Sequence, residues 1–116
     1  MNDYPSINRT AFIVKPLKPY WDWANSIPDG VPREQKNFGS TELDTTVYLV
    51  ADLDTTEVKD HIEAMFPEIF EDELEAWWTE EKDWPKNRTY KMFKEWFEVS
   101  VSSLVYDTVE EELVRE

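Results

Sequence analysis

The chain has 116 residues and a net charge of −14 from 26 acidic and 12 basic side chains, while 41% of its residues are apolar and 15% aromatic. That is enough apolar material for one folded domain over 1–116, with an unusually aromatic interior and no need of disulfides or a structural metal. The absence of cysteine excludes disulfides, thiolate zinc sites and a cysteine nucleophile, and the negative field opposes direct binding to nucleic acid or anionic membrane, where Lys and Arg supply the affinity.

In chain order, "TAFIVKPL" (10–17) is a short apolar run of β-forming residues closed by Pro16, and it predicts a buried strand. In "KPYWDWANSI" (18–27), Pro19 sits where a helix opens and a missing N–H costs little. Tyr20, Trp23, Ala24 and Ile27 then fall at the i, i+3, i+4, i+7 spacing of one apolar stripe, with Trp21 off it. Residues 28–44 combine two prolines, both glycines of the chain and mostly polar residues, which predicts a long loop. "TTVYLVADLD" (45–54) returns to β-propensity, and Asp54 with Glu57 three positions later has the pattern of a capping box.

Val58, Ile62, Met65 and Phe66 follow helical spacing up to Pro67, which lacks a donor and clashes with the preceding turn, so the helix is expected to end or kink there. Phe70, Leu74, Trp77 and Trp78 continue the spacing in a second piece, with Glu71, Asp72, Glu73 and Glu75 assigned mainly to solvated faces. Beyond a turn at "KDWPKN", Thr89 is placed to cap a third piece carrying Met92, Phe93, Trp96 and Phe97. The period then changes to two: in "VSVSSLVYD" (99–107), Val99, Val101 and Val105 share one face of a strand, and 108–116 forms an acidic tail. The order β-α-β-α-α-α-β predicts an α+β fold, a sheet of about three strands with helices packed on one face.

"WPKNRTYKMFKEWFEVSVSSLVYD" (84–107), with "AFIVKPLKPYWDW" near the start, resembles a family of small acidic bacterial proteins whose last helix and strand carry a W-P-x-x-R-T-x-x-M-F-x-x-W-F pattern. The resemblance covers about half the chain. It implies a single small bacterial domain and brings no activity with it.

Three constellations are candidates for function. The first is "EDELEAWWTEEKDW" (71–84), with seven carboxylates and three tryptophans in fourteen positions. Its helical period separates a packing stripe from a solvated face, and leaves Glu71, Asp72, Glu75, Trp78, Glu80, Glu81 and Trp84, with Trp21 as a further exposed aromatic, as a contact surface for a basic protein. The second is the carboxylate set Asp52, Asp54 and Glu57 at the end of a strand, which is suited to a hard divalent cation if it is more than a helix cap. The third is Lys86, Arg88, Lys91 and Lys94, a basic cluster following the acidic helix and best read as its internal electrostatic match. His61 is the only histidine and lacks the partners that a zinc site or a catalytic triad needs.

No apolar run reaches the length of a signal peptide or a membrane span, so the expected address is the cytoplasm. With no catalytic set in view, the expected function is protein binding through an acidic and aromatic surface, to a basic partner or to a second copy, with no cofactor. The alternative is a divalent-metal-dependent enzyme or small-ligand binder built on Asp52, Asp54 and Glu57.

Overall fold

A computed structural model describes residues 3–27 and 45–116; the loop expected over 28–44 lies outside the described residues. Three strands, β1 (Arg9–Pro16), β2 (Thr46–Ala51) and β3 (Phe97–Ser102), make one open antiparallel sheet in the order β2-β1-β3. Three helices, α1 (Lys18–Ser26), α2 (Val58–Trp77) and α3 (Tyr90–Trp96), accompany it, and a 3₁₀ turn at Glu81–Asp83 lies between α2 and α3. With that turn as the middle helical piece, the expected α+β order holds.

The register explains how one face came to be buried. Phe12 lies opposite Tyr48 and Val101, and Val14 opposite Thr46 and Val99, so these side chains share a face. The helices cover it around Phe12 and Val14 but leave Val101 41% exposed, and Val14 and Phe97 join Tyr20, Ile69, Phe70, Leu74, Trp84 and Phe93 in one buried cluster. The other face carries Arg9, Ala11, Ile13 and Lys15 of β1, with Val47, Leu49 and Ala51 on one side and Glu98, Ser100 and Ser102 on the other. Beyond the sheet, Ser6 bridges Tyr106, and the Asp107 N–H donates to the Pro5 carbonyl at 2.9 Å, extending the β1 and β3 directions as a narrow ribbon.

Local signals act largely as the residues suggest. Thr89 Oγ1 accepts from the Met92 N–H at 3.1 Å and caps α3. Ahead of α2, the Asp54 N–H donates to Glu57 Oε1 and Asp54 Oδ1 accepts from the Thr56 N–H and hydroxyl, a capping box set one turn before the helix proper. Asn87 takes a left-handed φ of 55° in the turn before α3, a conformation that Asn tolerates well.

Three local expectations are corrected. Pro67 does not end α2, which runs through it for 20 residues. Pro67 is exposed, so water can satisfy the carbonyl it leaves unbonded, while Ile62 and Phe66 before it and Ile69, Phe70 and Leu74 after it pack the same core. Phe97 is not the last residue of the α3 stripe but the first of β3. Its backbone is already extended at φ −139°, and its N–H closes the helix on the Phe93 carbonyl. Glu73, assigned to the solvated side, is buried. It stands three residues after Phe70 and four before Trp77, which is a stripe position.

Candidate functional site

The segment from the end of α2 to α3 is tied down by its own tryptophans. Trp84 Nε1 donates to the Trp78 carbonyl at 2.8 Å and Trp78 Nε1 to Asp83 Oδ2 at 2.9 Å, so the loop is closed from both ends. From α1, Trp23 Nε1 reaches the Asp83 carbonyl at 2.9 Å, and Trp77 Nε1 reaches back to the Ala24 carbonyl at 3.2 Å. Each such bond contributes about 1 kcal/mol net, and together they fix the 78–84 backbone against α1. The rings pack as well: Trp21 meets Trp77 edge-on at 6.0 Å and Tyr20 edge-on at 5.0 Å.

This geometry revises the aromatic half of the expected contact surface. Trp84 is 6% exposed and belongs to the core, with the Arg88 guanidinium 5.8 Å from its ring centre. Trp78 and Trp21 are half-buried, and none of the six tryptophans is exposed. The reason is that an indole has both a large apolar area to hide and an N–H to satisfy, and in this loop backbone carbonyls and Asp83 meet the second need inside the fold.

The acidic half stays on the surface. Glu71, Asp72 and Glu75 lie exposed on α2, and Glu80 and Glu81 on the loop that the indoles hold. Glu71 meets Arg88 at 3.4 Å, the single contact of the expected match between the acidic helix and the basic cluster. The other ion pair among the described residues joins Lys18 and Asp22 on α1, so Asp72, Glu75, Glu80 and Glu81 carry their charge outward. Lys94 lies 4.7 Å from the centre of the Tyr90 ring.

Asp52, Asp54 and Glu57 do not converge. Asp52 is exposed, and the Asp54 carboxylate is engaged by Thr56, whose hydrogen bonds hold it below its usual range. Among the described residues, no group of three His, Asp or Glu side chains is arranged to hold a metal ion. His61 packs against Phe12, ring centres 5.9 Å apart, at the boundary of the core. No helix among the described residues is long and apolar enough to cross a membrane.

One polar group in the interior escaped the sequence reading. Glu73 Oε2 accepts from the Tyr48 hydroxyl at 2.8 Å, and the Glu73 backbone carbonyl accepts from the Tyr20 hydroxyl at 2.7 Å. Burial raises the Glu73 carboxyl above the usual range, against the pull of hydrogen bonds from Tyr48 and Thr46, and the nearby Asp72 charge adds to the rise. Burial and the Glu73 charge likewise push the Tyr48 and Tyr20 phenols upward. The group stitches β2, α1 and α2 together through hydroxyls, and its only sequence signal was the stripe position of an acid.

Fold and site together define a small α+β domain: a three-stranded antiparallel sheet, helices on one face, and an acidic outer surface on the helix layer. Comparison with family models, with curated proteins and with solved structures yields no match.

Proposed function

We propose that the protein is a binding module that docks a basic protein partner on the acidic surface formed by Glu71, Asp72, Glu75, Glu80 and Glu81. The observation that carries this reading is the stapled 78–84 loop, which holds the exposed Glu80 and Glu81 just past the C-terminal end of α2, the helix that carries Glu71, Asp72 and Glu75, on a backbone fixed by indole hydrogen bonds. Fixed charges lose little freedom on binding, and carboxylates without internal cations are available to steer a cationic partner. Trp78 lies at the margin of this surface as a half-buried contact.

The test is affinity capture from bacterial lysate at low and moderate salt, with the native chain beside a variant in which Asp72, Glu75, Glu80 and Glu81 are all changed to Lys. The expected result is a partner held by the native chain, released as salt rises and not held by the variant. If the reversed variant captures the same proteins with the same salt dependence, the reading fails.

A further inference from the structure

Among the described residues, no helix covers the outer face of the sheet, and its β2 edge leaves large apolar side chains exposed although none of the tryptophans is. Ile13 lies opposite Val47 and Ala11 opposite Leu49, so these apolar residues adjoin across β1 and β2; Ala11 is buried and Ile13 half-buried, while Val47 is 55% and Leu49 48% exposed. The charged residues on this face are Arg9, Lys15 and Glu98, and Lys15 stands opposite Glu98. Arg9 donates to the Asn8 carbonyl and to Asn8 Oδ1 and meets no carboxylate among the described residues, so its charge stands uncompensated beside the apolar β2 residues in a chain whose net charge is −14.

A second feature has the complementary chemistry. Residues 108–116, "TVEEELVRE", follow the ribbon formed with the N-terminal lead and make no helix or strand of their own. They hold Val109, Leu113 and Val114 61%, 69% and 79% exposed, interleaved with Glu110, Glu111 and Glu112. Since Ser102 pairs with Ala11 and Tyr106 with Ser6, the chain at this point runs past the Arg9 end of β1 and away from its own sheet.

We propose that the outer sheet face is a self-association surface: in a two-fold dimer, residues 108–116 of each copy cross Ile13, Val47 and Leu49 of the other and bring their glutamates to Arg9. Reciprocal exchange of this kind closes on itself and leaves no unmatched patch. Nine extended residues span about 30 Å, and the eight residues of β1 about 27 Å, so the segment can run the length of the face. Three strands spaced about 4.8 Å apart over that length offer only about 400 Å² per copy, roughly half of what each partner buries in a stable interface. The exchanged segments supply the rest.

Charge also selects this face. Two copies of −14 repel each other wherever their acidic helices meet, whereas the sheet face presents two cations and one acid. The surface proposed for a basic partner lies on the helix layer, so either reading can fail without the other.

Sedimentation velocity on the full chain, on Leu49→Glu and on a chain ending at Asp107 decides the matter. Circular dichroism is used to confirm that both altered chains remain folded. The full chain is expected to dimerise at micromolar concentration, and each alteration to weaken the dimer about 30-fold or more. An equimolar mixture of the two altered chains should form a heterodimer, since one retains an intact segment and the other an intact face. A full chain that stays monomeric at about 200 μM overturns the proposal. So does a dimer insensitive to both alterations, or a monomer whose 108–116 amides are protected from exchange, which would mean that the segment covers its own sheet.

Discussion

Changing Trp84 to Ala separates a structural tryptophan from a contact tryptophan. Trp84 is 6% exposed, packs in the cluster with Phe70 and Phe93, donates its indole N–H to the Trp78 carbonyl at 2.8 Å and carries the Arg88 guanidinium 5.8 Å from its ring. Emptying such a site costs about 3–5 kcal/mol for lost burial and the cavity left behind. Within that total, the hydrogen bond accounts for about 1 kcal/mol and the cation–π contact for about 0.5–1 kcal/mol. For a domain of this size, 1 kcal/mol moves the melting temperature by about 4 °C, so Trp84→Ala is expected to lower it by about 12–20 °C. Trp84→Phe keeps most of the ring volume, loses the indole bond and should cost about 1–2 kcal/mol, or about 4–8 °C. The assay is thermal unfolding followed by far-ultraviolet circular dichroism. A Trp84→Ala chain that melts within about 1 °C of the native one, while losing a bound partner, would refute the burial argument and return Trp84 to the contact surface.

Glu73→Gln is expected to stabilise the protein at pH 7 and to give no advantage near pH 4. Burial raises the folded carboxyl above its unfolded value, so on raising pH the unfolded chain releases this proton first. The loss of stability begins at the unfolded pKa, grows by about 1.4 kcal/mol for each pH unit between the two pKa values, and is complete above the folded one. Melting curves of both chains across pH 4–8 check the sign, and a Gln effect independent of pH would contradict it. Pro67→Ala restores an N–H in the middle of a continuous α2 and should stabilise by about 1 kcal/mol or more, the full propensity difference being about 3 kcal/mol. Urea unfolding should show a higher midpoint with an unchanged slope, and a lower midpoint would mean that the helix depends on its proline.

Much of the fold was legible because its signals are local or periodic. β1 announced itself as an apolar run, α1 by its stripe, α3 by stripe and cap, and β3 by alternation, although the strand ends at Ser102 where the expected one ran on to Asp107. What failed depended on partners distant in sequence. Pro67 reads as a stop within its own turn, but a core contacted on both sides of it holds one helix. Phe97 satisfies helical spacing and strand alternation equally, and only pairing with Pro16 across the sheet decides between them. Glu73 looked like one more surface acid because the hydroxyls of Tyr20 and Tyr48 that receive it come from other elements. The acidic surface was legible in its carboxylates and misread in its tryptophans, since composition counts indoles and says nothing of where their N–H groups find acceptors.

The central strand of the sheet is the first of the three in the chain. β1 pairs through Thr10 with Val50 and through Ala11 with Ser102, so one of its edges waits for the last strand. Closing so long a loop is an entropic cost that must be met before the pairing repays it, which makes the final docking of β3 a slow step for a protein this small. A chain cut short anywhere before Phe97, or caught before β3 has docked, presents the apolar middle strand with an open edge. That edge is a template for pairing with any other extended chain at hand.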